Sequence, residues 1–134
     1  MKYMLDTNIC IYAMNKRSGT VLSNLKSHLT DGLCISAIVL AELEHGIAKS
    51  AYPERSKAAL MKILSIFDIL DFDANAAVAY GIIQADLQRK GMPISPLDTL
   101  IAAHAKAAGL TLVTNNMREF ERVSGLPLEN WTEN

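Results

Sequence analysis

The feature that most constrains this chain is an alternation. Short apolar runs of strand length are each closed by a small polar or acidic residue and followed by a stretch of helical periodicity. Residues 2–6 form the first run, and Asp6-Thr7-Asn8 then supplies capping residues for a helix carrying Ile9, Ile11, Tyr12 and Met14. Ser18 or Thr20 starts a second helix through Val21, Leu22, Leu25 and Leu29, which Asp31-Gly32 ends before the strand Leu33-Cys34-Ile35. Ser36 caps a third helix over 37–49. Pro53 suits the first turn of a helix whose apolar positions Ala59, Leu60, Ile63, Leu64 and Phe67 lead to a short strand at Ile69-Leu70. Asp73 caps a helix over 74–89 that stops at Lys90-Gly91, and residues 91–95 form a loop. A helix over 96–108 ends at Gly109. It leads into 110–114, the clearest buried strand because it is apolar, β-branched and bounded by turn residues, and residues 115–122 form a short helical turn. Strands separated by helices are βα units. They predict an α/β fold with a mainly parallel central sheet covered by helices on both faces, and ligands of such sheets bind beyond the carboxyl ends of the strands.

With 134 residues, half of them apolar, and no repeat or long linker, the chain is expected to form one domain over 1–134. Thirteen basic against fourteen acidic residues exclude a global positive field, so any nucleic-acid contact has to come from local patches. Cys10 and Cys34 lie in apolar surroundings without metal-ligand spacing, which predicts reduced core thiols. No charged leader precedes an apolar run, and no apolar stretch reaches membrane-spanning length, so a soluble cytoplasmic protein is expected.

Three acids stand where the chemistry of such a sheet is placed. Asp6 follows the first strand, Glu42 lies on the helix after the second, and Asp98 opens the helix before the last clear strand. If they meet, their repulsion raises their pKa values unless a cation sits among them, and an oxygen-only ligand set favours magnesium or manganese. The chemistry expected of that arrangement is hydrolysis of a phosphate ester. Each acid also has an ordinary role. Asp6 suits a helix cap, and Ser95-Pro96-Leu97-Asp98 has the spacing of a capping box, with the helix dipole holding Asp98 ionised. Glu42 shares a flank with Ile38, Val39 and Gly46, but periodicity alone does not separate it from Glu44.

At these residues the chain resembles the PIN-domain family, and within it the VapC toxins of bacterial VapBC modules. The resemblance rests on an ordered set of segments spanning nearly the whole chain. They are Met4-Leu5-Asp6-Thr7-Asn8, Ile35-Ser36 with Ala41-Glu42-Leu43 and Gly46, Gly91 and Pro93 before Asp98, Ile101-Ala102-Ala103-His104-Ala105, and Leu112-Val113-Thr114-Asn115-Asn116 with Arg118-Glu119-Phe120. The resemblance implies a PIN-like three-layer fold and identifies Asp6, Glu42 and Asp98 as the magnesium ligands, with manganese able to substitute. It selects Glu42 over Glu44. The family's commonest pattern places an Asp two residues after the strand-ending Thr. Here that place holds Asn116, and Glu119 is the nearest carboxylate that can substitute. Thr7, Asn8, Ser95 and Thr114 are small polar residues beside the acids, suited either to orient ligands or water or to serve as plain caps and strand-end residues. His28, His45 and His104 have no mutual metal-binding spacing, and His104 is expected to be a packed or partly exposed helical residue rather than a ligand.

The resemblance further implies an endoribonuclease toxin. Similar chains of enteric bacteria cut the anticodon stem-loop of initiator tRNA. It also implies a homodimer, a VapB antitoxin whose tail fills the active-site groove, and operator DNA bound only through the toxin–antitoxin complex. Candidate phosphate-binding bases are Lys16, Arg17, Lys49, Arg55, Arg89, Lys90, Arg118 and Arg122, with Arg118 closest in sequence to the site. Only eight aromatic residues exist to stack on bases, several inside core-like patterns. Two other readings remain at this point: a haloacid-dehalogenase-like phosphotransferase using Asp6 as nucleophile, against which Asn8 replaces that family's second Asp, and a catalytically silent PIN-like binding module.

Overall fold

A computed structural model describes residues 1–16 and 18–133. The apolar runs become short strands. β1 (Tyr3–Leu5), β2 (Leu33–Ser36), β3 (Asp68–Leu70), β4 (Thr111–Val113) and β5 (Leu128–Glu129) form one sheet in the order β3-β2-β1-β4-β5. All four pairings are parallel, with Met4 opposite both Cys34 and Leu112. β1 and β2 are buried at every residue, which is why they read as unbroken apolar runs rather than alternating ones. The edge strand β3 exposes Asp68 and Ile69.

Seven helices flank the sheet among the described residues: α1 (Thr7–Met14), α2 (Gly19–Ser27), α3 (Ala37–Ala48), α4 (Pro53–Leu64), α5 (Ala74–Lys90), α6 (Pro96–Ala107) and α7 (Met117–Phe120). Their starts follow the expected caps. The side chains of Asp6, Ser18, Ser36, Asp73 and Ser95 accept from backbone N–H groups in the first turns of α1, α2, α3, α5 and α6. Gly91, at φ 66°, closes α5 in the left-handed conformation, and the N–H of Met92 reaches back to Leu87.

Three boundaries differ from the sequence reading. α2 stops at Ser27, and Leu29 falls in a separate 3-10 turn, Leu29–Asp31, since His28 already takes a non-helical conformation. α4 ends at Leu64, so Phe67 packs into the core from the connection to β3 rather than from the helix. β5 was not foreseen. It is two residues long, and its strand character comes from long-range bonds that carry no local signature: the N–H of Leu112 donates to Pro127 at 2.9 Å and that of Thr114 to Glu129 at 3.0 Å.

The strand order places the site. From β1 the chain moves outward to β2 and β3, then crosses back to lay β4 on the other side of β1. The order therefore reverses between β1 and β4, and the crevice beyond their carboxyl ends is the place where open parallel sheets bind ligands. Asp6 and Thr114, the residues just past β1 and β4, stand at its mouth.

Candidate active site

Asp6 is 5 % exposed. Its Oδ1 accepts the N–H of Ile9 at 3.0 Å, and its Oδ2 accepts the hydroxyl of Thr114. The cap and the site are thus one arrangement: one oxygen starts α1, and the other is held across the sheet from β4. Burial pushes the Asp6 carboxyl up to about 6. The Thr114 and Ile9 hydrogen bonds oppose that rise, and the charge of Glu42 adds to it.

Glu42 and Glu44, which periodicity left equivalent, are separated in space. Glu42 is half-buried, and its Oε1 accepts the Thr7 hydroxyl at 2.8 Å, which ties α3 to the start of α1. Glu44 points to solvent and pairs with Lys57 at 2.5 Å on α4.

Asp98 sits in the first turn of α6, its N–H donating to Ser95 Oγ at 3.3 Å. The helix dipole expected to favour its ionised form is not the dominant influence on it. Its carboxyl is pushed up to about 6, first by burial, then by a hydrogen-bonding contact with Glu119, with the charges of Glu119 and Glu42 adding to the rise. Desolvation and like charge outweigh a dipole effect typically worth less than about 1 kcal/mol. Glu119, in α7, accepts at Oε2 from the Asn116 side-chain amide at 3.0 Å, while the Asn116 N–H donates to Thr114 Oγ1 at 2.9 Å. Asn116 and Glu119 are therefore joined, and Thr114 links them to Asp6.

Four carboxylates, Asp6, Glu42, Asp98 and Glu119, thus face one another at the sheet edge, and no lysine or arginine is among the causes of the shifts at Asp6 and Asp98. Among the described residues, no group of three or more such side chains already stands as a metal-ligand set. The charges of Glu119 and Glu42 both add to the rise at Asp98, so these carboxylates repel one another without a counter-charge. The donor set fits a hard divalent cation, being carboxylates with hydroxyl and amide oxygens nearby and no sulfur. Asn115 Oδ1, in the loop between β4 and α7, adds a buried acceptor with no partner, while its amide nitrogen donates to the Tyr12 hydroxyl at 3.0 Å.

Residues 3–126 match the sequence pattern of the PIN domain. The chain belongs to the PIN-domain family. Similar proteins include the tRNA(fMet)-specific endonuclease VapC of Shigella flexneri, 47 % identical over 133 residues, covering 98 % of this chain and 99 % of that one. The protein of the same name from Salmonella typhimurium is 44 % identical over 131 residues, covering 98 % of each. Among solved structures, VapBC2 from Rickettsia felis bound to a promoter DNA fragment superposes with a TM-score of 0.94 at 45 % identity, over 98 % of this chain and 99 % of that chain. VapBC-1 from nontypeable Haemophilus influenzae superposes with a TM-score of 0.90 at 34 % identity, over 99 % and 100 %. Membership in this family removes the haloacid-dehalogenase-like reading.

The remaining sequence candidates in this PIN domain distribute as follows. Thr7 and Thr114 bond the acids directly, and Ser95 caps the helix that carries Asp98. Asn8 is exposed and makes no hydrogen bond to the acids. Both cysteines are buried free thiols. Lys90 pairs with Asp86 at 2.8 Å, Arg89 approaches the same carboxylate at 3.9 Å, Arg122 donates to the Pro93 carbonyl at 2.9 Å and Arg55 lies over the Tyr52 ring, so four of the candidate bases have intramolecular partners. Arg17 lies outside the described residues. His28 stacks on Trp131 and His45 is exposed.

His104 has a role that its spacing did not disclose. It is 3 % exposed, and its Nδ1 lies 2.8 Å from Ser36 Oγ, which in turn accepts the N–H of Ile38 at 3.0 Å. Burial lowers its pKa, so the ring is neutral and accepts the Ser36 proton. The pair ties α6, which carries Asp98, to the N-terminus of α3, which carries Glu42. The two partners are 68 positions apart, and only the fold brings them together.

Proposed function

We infer that this chain is a single-domain, magnesium-dependent endoribonuclease, the toxin of a type II toxin–antitoxin pair, acting on the anticodon stem-loop of initiator tRNA. The observation that carries this reading is the meeting of Asp6, Glu42, Asp98 and Glu119 beyond the ends of β1 and β4, with Asp6 and Asp98 both raised to about 6. A cation among them would offset both the desolvation and the mutual repulsion of these carboxylates. The names of the relatives support the RNA substrate and the pairing with a VapB-type antitoxin. They also support the toxin over a silent binding module.

Asp6, Glu42 and Asp98 hold the cation in this reading, with manganese able to replace magnesium. Asn116 and Glu119 complete the site. The bound ion supplies charge to polarise the phosphoryl oxygens and to make a water acidic enough to attack at neutral pH. The protein's own part is orientation and proton handling. Thr114 and the Ile9 N–H fix both oxygens of Asp6, Thr7 fixes Glu42, and Asn116 fixes Glu119. Asp98 would have to be ionised to hold the cation, so cation affinity would rise with pH through about 6. Glu119, held by the Asn116 amide beside Asp98, is the carboxylate placed to accept a proton from the attacking water. No described helix is long and apolar enough to cross a membrane, and in this reading the protein meets its tRNA in the cytoplasm, as the homodimer that the resemblance implies. Operator DNA is bound only by the complex with the antitoxin.

Purified protein incubated with initiator tRNA is expected to cut only when magnesium or manganese is present. Asp98→Asn abolishes both cleavage and growth arrest. Undiminished cleavage in excess chelator, or full toxicity of Asp98→Asn, overturns the mechanism.

A further inference from the structure

An enzyme that acts at one place in an RNA needs a surface for bases as well as a site for the phosphate. Sequence-selective RNA recognition stacks unpaired bases on aromatic rings and guanidinium planes. The eight aromatic residues divide sharply by exposure. Tyr3, Phe67, Phe120 and Trp131 are buried, while Tyr12, Phe72 and Tyr80 are half-buried. Tyr52 alone among the described aromatic residues is exposed, at 66 %.

Nothing in the fold accounts for a tyrosine there. Tyr52 occupies the N-cap of α4, where Ser, Thr, Asp or Asn would stabilise the helix, and its side chain makes no capping hydrogen bond. The ring nevertheless has a built setting. The Arg55 guanidinium lies 5.1 Å from the ring centroid, a cation–π contact that fixes the ring and puts a positive charge beside it. The backbone beneath is held by three bonds. The Tyr52 N–H donates to Ser50 Oγ at 3.0 Å, Ser50 Oγ meets Ser56 Oγ at 3.1 Å, and the Ser56 N–H donates to the Tyr52 carbonyl at 3.1 Å. A platform fixed in advance loses little entropy when it binds.

Its position connects it to the carboxylates. Tyr52, Arg55 and Glu54 line a cleft of about 430 Å³. A smaller groove of about 210 Å³ between α1, α3 and α4 is lined by Glu42 and by Ser56, the residue that follows Arg55 in the chain. From Glu42 to Ala48, α3 advances about 9 Å at 1.5 Å per residue. Tyr52 thus follows the helix that carries Glu42, ten positions further along the chain, and does not line the groove that Glu42 lines. Glu54 offers an acceptor suited to the exocyclic amino group of a base, which a phosphate cannot supply.

We propose that Tyr52, backed by Arg55, is a stacking platform for one unpaired base of the RNA substrate, a few nucleotides from the cut bond. This rests on the endoribonuclease reading above. The platform selects for a looped-out base and so for a single-stranded loop over a paired stem.

The test uses the full-length protein and a labelled stem-loop RNA with the anticodon-arm sequence of initiator tRNA, with binding measured in chelator so that no cutting occurs. Tyr52→Ala is expected to weaken binding about ten-fold, the scale of one base–aromatic stack, and Tyr52→Phe to bind like wild type. With magnesium, Tyr52→Ala raises KM by the same factor. Replacing loop nucleotides one at a time by abasic sites should find one position at which wild type and Tyr52→Ala bind equally. Equal binding of the intact RNA by wild type and Tyr52→Ala overturns the platform, as does an equal loss for Tyr52→Ala at every abasic position. Loss of antitoxin affinity with RNA binding unchanged also overturns it and assigns the ring to the protein partner. A wild-type protein that neither binds nor cuts the RNA sinks the endoribonuclease reading itself, a separate outcome from a wild type that cuts and a Tyr52→Ala that cuts equally well.

Discussion

Thr114→Val keeps the shape of a buried β-branched side chain and removes only the hydroxyl that bonds Asp6 Oδ2. Asp6 stands at about 6 because burial outweighs the two hydrogen bonds that favour its ionised form. A hydrogen bond to a charged group is worth about 1.5–3 kcal/mol, and 1.36 kcal/mol is one pKa unit, so the change should lift Asp6 by about one to two units. At pH 7 the ionised fraction then falls from about nine-tenths to between about a half and a tenth. The direct assay is carbon-detected NMR titration of the Asp6 carboxyl in metal-free protein. The functional assay is the half-saturating magnesium concentration for RNA cleavage, measured from pH 6 to 9. The variant's half-saturation should be raised several-fold at pH 7 and approach the wild-type value near pH 9, with Thr114→Ser restoring wild-type behaviour throughout. The reasoning is refuted by an unmoved Asp6 titration, or by a loss of cleavage that is independent of pH. The latter would place the effect in the displaced Asn116 N–H, which also bonds the Thr114 hydroxyl.

The metal-free protein should be more stable near pH 5 than near pH 8. The folded Asp6 pKa of about 6 lies above its ordinary 3.8, so folding disfavours the ionised form; the full benefit is present below pH 3.8 and is lost as pH rises through 6, at a cost approaching about 3 kcal/mol. Half-buried Asp98 adds a smaller contribution of the same sign, and denaturant midpoints at the two pH values, with and without magnesium, check both the trend and its removal by the cation. His104→Phe leaves the buried Ser36 hydroxyl without its acceptor and should cost about 1–3 kcal/mol. In a double-mutant cycle with Ser36→Ala the losses should fall short of additivity by at least about 0.5 kcal/mol, and strictly additive denaturation midpoints would refute the contact.

Much of the fold follows from local pattern, because βα units announce themselves one at a time. The runs around Met4, Cys34 and Leu112 are apolar throughout since strands in a parallel sheet are covered on both faces, and Asp6, Ser36, Asp73 and Ser95 mark helix starts because an N-cap acts over three residues. Where Asp6, Glu42 and Asp98 stand along the chain was also legible, though choosing Glu42 over Glu44 took the family resemblance. Tertiary structure alone decided the rest. It sent Glu44 outward to Lys57 and Glu42 inward to Thr7, added β5 through bonds from Leu112 and Thr114, and joined His104 to Ser36. It also raised the Asp98 pKa rather than lowering it, because desolvation and the approach of Glu119 depend on which elements pack together, whereas the helix dipole is local. Periodicity reports which face of an element is apolar. Which polar groups then meet, and at what electrostatic cost, is set by contacts between residues far apart in the chain.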